Sequence, residues 1–334
     1  MRITGAVVAA ILTIAGFSFF GKSIFNIWPI YLGGFLYVKY RNIPYNNIIV
    51  VIIFSTCLSP AVSQIAFSSG FPLYIGITLG ILVGLIIGFV ITPLSSNMSK
   101  LHVGHNLYNV GLASGILGTL IYSIMKIFDI TIEKQLILSN EYDMFFRTFL
   151  LIYFILFIAI GFIINNKSFK EYGEILKYSG KLISDYTQLT GFGLTFINMG
   201  IMGLVSMIFV YLSGGILNGP IIGGILTVSG FSAFGNHPKN SIPIMIGVFI
   251  CGIIGIWDIQ STPVIIAGLF GTTLAPIAGS YGIFAGIMAG FLHLAMVMNI
   301  SVINGGINLY NNGFAGGLIA SILFPLLEFF KRKS

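Results

Sequence analysis

Asn106-Leu107-Tyr108-Asn109 recurs as Asn308-Leu309-Tyr310-Asn311, and each copy runs on into x-Gly-x-Ala-x-Gly. A side-chain amide both donates and accepts hydrogen bonds, and a tyrosine adds a hydroxyl to an aromatic body. Such groups can replace the hydration of a small neutral solute without the cost of burying a charge. They also suit a structural purpose. Asn106 and Asn308 stand where a helix would begin and be capped, with Asn109 and Asn311 one turn further along the same face. Asn97 with Asn299 and Ser18 with Ser232 are further repeated polar candidates. His293 has no histidine counterpart and lies inside an apolar run. An ionisable group there is a functional candidate by default; its simpler role is that of a neutral, hydrogen-bonded imidazole. His102 and His105 fall beside Lys100 near the end of an apolar run, and His237 lies in the turn Gly235-Asn236-His237-Pro238-Lys239-Asn240.

The elements that must position these residues are set by composition. Of 334 residues, 56% are hydrophobic and 7% charged, with mean hydropathy +1.00. A soluble domain carries about 25% charged residues, so this chain cannot cover a water-facing surface of its size. A soluble enzyme, a nucleic-acid-binding module and a disordered chain are excluded. The apolar runs are continuous rather than alternating, which argues for helices and against a β-barrel. They fall near 3–21, 24–39, 47–69, 71–92, 106–127, 145–165, 191–212, 219–235, 241–257, 260–275, 277–298 and 308–330. Ser59-Pro60 interrupts the third and Thr262-Pro263 opens the tenth. Proline removes a backbone donor and crowds the preceding turn, so these two are expected to be broken or re-entrant helices. Arg2 before an apolar run would suit a secretory signal, but the repetition of 11–34 deep in the chain argues against its removal. Cys57 and Cys251 lie in apolar runs and suggest neither a disulfide nor a zinc site.

Self-comparison reveals a duplication. Residues 11–34 align without gaps to 225–248 with twelve identities in 24, and 80–115 align to 282–317 with 15 in 36. The expected organisation is a first membrane repeat at 1–127, a connector at 128–214 with two further spans, and a second repeat at 215–330. Within the connector, 166–190 carries Lys167, Lys170, Glu171, Glu174, Lys177, Lys181 and Asp185 interleaved with Phe169, Ile175, Leu176, Leu182 and Ile183. It reads as an amphipathic linker helix on the membrane surface. Seven crossings between equivalent helices would invert the halves. The Lys/Arg distribution agrees. With the N-terminus inside, Arg2, Lys39, Arg41, Lys100, the linker lysines, Lys239, Lys331, Arg332 and Lys333 fall inside. Lys22, Lys126, Lys134 and Arg147 fall outside, with the acidic loop holding Asp129, Glu133, Glu141 and Asp143. The fold class is therefore all-α: two inverted repeats of about five spans each, with both termini cytoplasmic in a cell membrane. The glycine rows Gly80/Gly84/Gly88 and Gly282/Gly286/Gly290 are expected to let helices approach closely, as are Gly111/Gly115 and Gly313/Gly317.

The chain resembles an uncharacterised family of duplicated bacterial integral membrane proteins, on the strength of Gly230-Phe231-Ser232-Ala233-Phe234-Gly235-Asn236-His237-Pro238-Lys239-Asn240 and the two Asn-Leu-Tyr-Asn-x-Gly segments. More loosely, its plan resembles the urea transporters, with two inverted halves of five crossings and a short pore-facing helix. Their Leu-Pro-x-x-Thr-x-Pro-Phe filter is absent here, so no filter residue carries over.

No carboxylate lies mid-segment, and Asp258 sits at a helix end. No nucleotide-binding, protease or hydrolase motif is present. The expected function is not enzymatic: a permease or channel for a small neutral polar solute along the repeat interface. A sodium-coupled transporter of an amino acid or organic anion, and a non-transporting membrane scaffold, are the rivals. No cofactor or metal is expected. The expected partners are the lipid bilayer, a small-molecule solute and, as an open alternative, further copies of the chain in a homo-oligomer; nucleic acid is not among them.

Overall fold

The computed structural model describes residues 3–130, 132, 137–182 and 184–331. Arg2, Glu133, Lys134, Ile183, Arg332 and Lys333, which enter the expectations above, lie outside the described residues.

The described residues are helical without strands, apart from one isolated bridge between Asp185 and Phe234. The first half contains α1 (Gly5–Phe17), α2 (Ile24–Arg41), α3 (Ile49–Ser55), α4 (Ser59–Ser68), α5 (Leu73–His102) and α6 (Asn109–Ile127). The connector holds α7 (Asp143–Ile164), α8 (Tyr172–Ile175), α9 (Tyr186–Leu189) and α10 (Gly191–Leu212). The second half repeats the first as α11 (Gly219–Phe231), α12 (Pro238–Ile254), α13 (Thr262–Gly271), α14 (Ala275–Tyr281), α15 (Ile283–Ile300) and α16 (Asn311–Lys331). Eight helical segments among the described residues are long and apolar enough to cross a membrane.

Both broken helices are present, with one correction. Each break is a single 3₁₀ turn, at Thr56–Leu58 and Thr272–Leu274. In each case it sits directly before a proline at the start of the next helix, Pro60 or Pro276. Thr262-Pro263 merely opens α13, where a proline lacks only a donor the helix would not use. The tenth segment accordingly runs on to Tyr281 rather than ending at 275.

Glycine contacts set the helix pairing within each half. Gly84 and Gly88 of α5 receive Pro29 and Ile30 of α2, and Gly286 and Gly290 of α15 receive Pro243 and Ile244 of α12. Gly80 packs on Val62 and Ala66 of α4. Its partner in the repeat departs from the expected packing role: Gly282 caps α15 in the left-handed region, with φ 90°, and a Cβ added there would meet nothing within 4 Å.

The halves meet through equivalent helices. On α1 and α11, Gly16 lies against Gly223, and Gly230 lies against Ala9. Gly5 lies by Ala233 at one end of this pair, and Gly219 by Phe19 at the other. The two helices are therefore antiparallel. On α6 and α16, Gly111 meets Gly313, Gly118 approaches Asn308, and Gly317 packs on Leu112, again antiparallel. Two equivalent pairs, each antiparallel, mean that an approximate two-fold axis runs across the helices, which inverts one half relative to the other.

The linker is not the expected continuous surface helix. Only two single turns, α8 and α9, are helical. Asn166, Lys167, Glu171 and Gly180 take positive φ, which no helix accommodates. The segment folds inward instead: Ile175 and Tyr186 are fully buried. The Tyr186 amide donates to the Ala233 carbonyl at 3.2 Å, and its hydroxyl to the Gly235 carbonyl at 3.0 Å. His237 Nε2 lies 2.9 Å from the Tyr178 carbonyl. Burial raises the pKa of the Tyr172 phenol, which keeps it a neutral donor to Asn198 Oδ1 at 3.0 Å.

The start of α1, the linker and the end of α16 share one end of the molecule. The Gly5 amide reaches Asp185, Gly279 of α14 abuts Ser179, and Tyr281 donates to Glu328 near the end of α16. At the other end, Asp143 accepts from the Leu217 amide, and Arg147 donates to the Gly215 carbonyl.

Candidate functional site

A cavity of about 180 Å³ lies on the two-fold axis, between the α1–α11 pair and the α6–α16 pair. Six equivalent pairs contribute to its walls: Thr13 with Thr227, Phe17 with Phe231, Phe54 with Phe270, Leu107 with Leu309, Tyr108 with Tyr310, and Gly111 with Gly313; Ala6, Val50, Ser95, Leu182 and Phe234 extend it toward the linker end without counterparts in the wall. The rings are arranged with the same symmetry. Tyr108 packs on Phe231 at 4.4 Å between centroids, and Tyr310 on Phe17 at 4.7 Å. Most of the wall is carbon. The Thr13 and Tyr108 hydroxyls are buried without a hydrogen-bond partner among the described residues.

Backbone bonds that cross between the halves fix these side chains. The Leu107 amide donates to the Thr273 carbonyl at 2.9 Å, and the Leu309 amide to the Cys57 carbonyl at 3.0 Å. Thr273 and Cys57 occupy the same place in the two 3₁₀ breaks. Each break exposes carbonyls that a continuous helix would use internally, and the start of the opposite half's last helix takes one up. Thr273 does more than Cys57 can. Its hydroxyl donates to Asn106 Oδ1 at 2.5 Å and accepts from the Tyr108 amide at 2.9 Å. Beside Cys57, Asn308 Oδ1 accepts directly from the Tyr310 amide at 3.0 Å.

Tyr108, Tyr310 and Asn109 thus line the cavity, while Asn106 and Asn308 stand behind its wall as local braces. Asn109 and Asn311 clamp the preceding helix end. Asn109 Oδ1 meets His102 Nε2 at 3.0 Å, and its amide donates to Ser95. Asn311 Oδ1 accepts from Asn304, the counterpart of His102, at 2.7 Å. Asn311 does not reach the cavity. His293 is fully buried, with Nε2 3.1 Å from Oδ1 of the cavity-lining Asn312. Asn97 and Asn299 are exposed and bond carbonyls one turn back, Pro93 and Ala295. Ser18 and Ser232 end α1 and α11, each returning its hydroxyl to a carbonyl of its own helix, Ala15 or Val228. These four stand apart from the cavity. Cys57 and Cys251 are free and buried.

The sequence reading missed three contributors. The first is the pair of breaks, whose signature Phe-x-Thr-x-Leu-x-Pro stands at 54–60 and again at 270–276. The second is the aromatic lining that those breaks and the ends of α1 and α11 supply. The third is Lys22, which sits in the duplicated block where the other half has Asn236. Its Nζ donates to the Tyr310 hydroxyl at 3.2 Å.

Fold and site together define a polytopic helical membrane protein made of two inverted copies of one unit around an axial cavity. The chain belongs to the family described as "Protein of unknown function (DUF1576)", whose model matches residues 1–127 and 164–329. No curated protein and no solved structure matches it. The unmatched stretch holds almost all of α7, the span with the least of its surface buried, whereas the linker lies inside the matched region.

Proposed function

We propose that this protein is a permease or channel that moves a small solute through the axial cavity, from one face of a cell membrane to the other. One observation carries the reading: the cavity lies where the two inverted halves meet, and six equivalent residue pairs contribute to its wall. Inverted repeats with a site at their interface, formed by discontinuous helices, are a recurrent transporter plan. A volume of about 180 Å³ is below that of drug-sized pockets, roughly 300–1,000 Å³, and suits a solute of few atoms. The carbon-rich wall with paired hydroxyls favours a largely apolar body with a polar end over a fully polar solute such as urea. An excess of Lys and Arg at the linker end supports a cytoplasmic location for both termini.

The test is flux in proteoliposomes, by swelling and radiotracer uptake, over neutral polar solutes, amino acids and short carboxylic acids. Wild-type protein is expected to pass a subset of the panel, and Thr227→Trp, which fills the cavity, to block it while remaining folded. Folded protein that passes nothing would return the scaffold reading. Uptake that requires a sodium gradient would make it a coupled transporter.

A further inference from the structure

Between α1 and α2 the chain turns through residues 18–23. Lys22 reaches back over the end of α1, its Nζ 5.0 Å from the Phe17 ring centroid and 5.1 Å from that of Tyr310. Both rings are cavity walls. An ammonium has three donors; the Tyr310 hydroxyl takes one, and ring faces attract the charge without replacing a full hydrogen bond. Among the described residues the ion pairs are Arg147 with Asp143 and Lys177 with Glu174. Neither involves Lys22.

The turn itself does not require a cation. Its copy in the second half has Gly235 where the first has Gly21, and both glycines take positive φ, 72° and 110°. Asn26 and Asn240 close the two turns alike, accepting from the Ser23 and His237 amides and donating to the Gly21 and Gly235 carbonyls. Where the first copy has Lys22, the second has neutral Asn236. The surroundings also differ. Ser18, Phe19, Gly21 and Ser23 are exposed, whereas Ser232, Ala233, Asn236 and His237 are buried, with the linker packed against their turn. Helices of thirteen residues are about 20 Å long, shorter than the roughly 30 Å hydrocarbon core. The exposed turn therefore ends a helix too short to span that core by itself. On that side the ammonium stands beside the Phe17 and Tyr310 rings, and those two rings wall the apolar cavity.

We propose that Lys22 and the Tyr310 hydroxyl hold the carboxylate of a small organic monoanion whose apolar body lies in the axial cavity. The assignment rests on the reading of that cavity as a solute site. A single cation with no carboxylate paired to it among the described residues suits one negative charge, and the carbon walls suit the rest of the molecule.

The probes are hexanoate and benzoate, compared with hexanamide and benzamide, which keep the shape and lose the charge. Purified protein is titrated with each, reading the shift in melting temperature and the calorimetric affinity. The acids are expected to bind and the amides to bind at least tenfold more weakly. Lys22→Asn, which copies position 236, is expected to lose the acid preference, and Lys22→Arg to keep it. Equal binding of acids and amides by the wild type, or an intact preference in Lys22→Asn, overturns the assignment. Should Lys22→Asn not fold, the wild-type comparison and Lys22→Arg decide. Proteoliposome flux separates this assignment from the transport reading. Flux without acid preference sinks the role of Lys22 alone; acid preference in binding without any flux sinks transport alone.

Discussion

Leu107 donates its backbone amide to the Thr273 carbonyl, 2.9 Å away, so the loop leading into α6 is anchored in the broken helix of the other half. The mirror bond from Leu309 to Cys57 completes the exchange. Neither half presents a finished cavity wall alone, because Tyr108 and Tyr310 each follow a residue held by the opposite repeat. This is why the breaks matter: they free carbonyls at the depth where the two copies of Asn-Leu-Tyr-Asn arrive.

The asymmetry at this crossing can be measured. Thr273→Val leaves Asn106 Oδ1 and the Tyr108 amide, both partnered by the Thr273 hydroxyl, without that partner in a buried site. An orphaned buried polar group costs about 1–3 kcal/mol, and two neighbours are affected here. Thr273→Val is expected to lower denaturant stability in detergent by at least that range. Thr273→Cys, which copies the first half, is expected to cost less, because a thiol keeps a weak donor and acceptor where valine has neither. Equal losses for the two variants would mean that the hydroxyl is not the brace.

The helix crossing offers a symmetric test. A Cβ added at Gly111 would lie 2.8 Å from the Gly313 Cα, and one at Gly313 would lie 3.0 Å from the Gly111 Cα. Backbone faces backbone, so neither side can yield by rotating a side chain. Gly111→Ala and Gly313→Ala are each expected to destabilise by about 1–3 kcal/mol, the usual cost of overpacking. Gly173→Ala, where the added atom meets nothing within 4 Å, serves as the neutral control. Unequal losses at 111 and 313 would contradict the two-fold relation.

Much of this architecture was legible because hydrophobic runs and a recent-looking duplication both leave marks in residue type. Most apolar runs end close to helix ends, although α5 continues to His102 past the run's end at 92 and the tenth segment to Tyr281 past 275, and the repeated Asn-Leu-Tyr-Asn falls at the seam between halves. What the sequence concealed was orientation within a helix turn. Asn109 and Asn311 match residue for residue, yet one lines the cavity and the other only braces Asn304. The linker misled for a different reason. Its charges and apolar residues alternate as on an amphipathic helix, but Gly180 with φ 76° breaks the run and brings the chain against the Gly235 carbonyl. Lys22 reads in the sequence only as a topology marker, because a lone lysine between two apolar runs looks like any loop lysine until the Tyr310 ring is seen beside it.

The inverted arrangement also predicts which positions share a membrane face. Lys170 and Lys177 of the linker lie at the end where α16 finishes, and Tyr142 and Asp258 lie at the opposite end. Cys57 and Cys251 are buried, so background labelling in single-cysteine experiments is expected to be low. Cysteines placed at 170 and 177 are expected to react with an impermeant maleimide only after the linker side is opened to the reagent, and cysteines at 142 and 258 only from the other side. A cysteine at 42, which follows α2 as 258 follows α12, is expected to label from the linker side; labelling of 42 and 258 from the same side would overturn the inversion.

Asp185 ties the linker to the first helix, and its removal tests that attachment. Its carboxylate oxygens lie 3.0 and 3.1 Å from the Gly5 amide, and one of them also accepts from the Thr187 amide and hydroxyl. A negative charge at a helix start is favoured both by the free amides there and by the helix dipole. Asp185→Asn keeps the shape but loses the charge, at an expected cost of about 0.5–2 kcal/mol. The loss falls first on docking of the linker to α1, because the other anchors, Leu182 on Gly104, Tyr186 on Ala233 and Gly235, and His237 on Tyr178, do not involve that helix. Trypsin cleavage after Lys181, a half-buried site beside the docked turn, is expected to accelerate several-fold in Asp185→Asn, with cleavage at exposed Lys177 changing less. Amide exchange at Gly5 and Ala6 is expected to rise with it. An unchanged digestion pattern would mean that the remaining contacts hold the linker without help from α1.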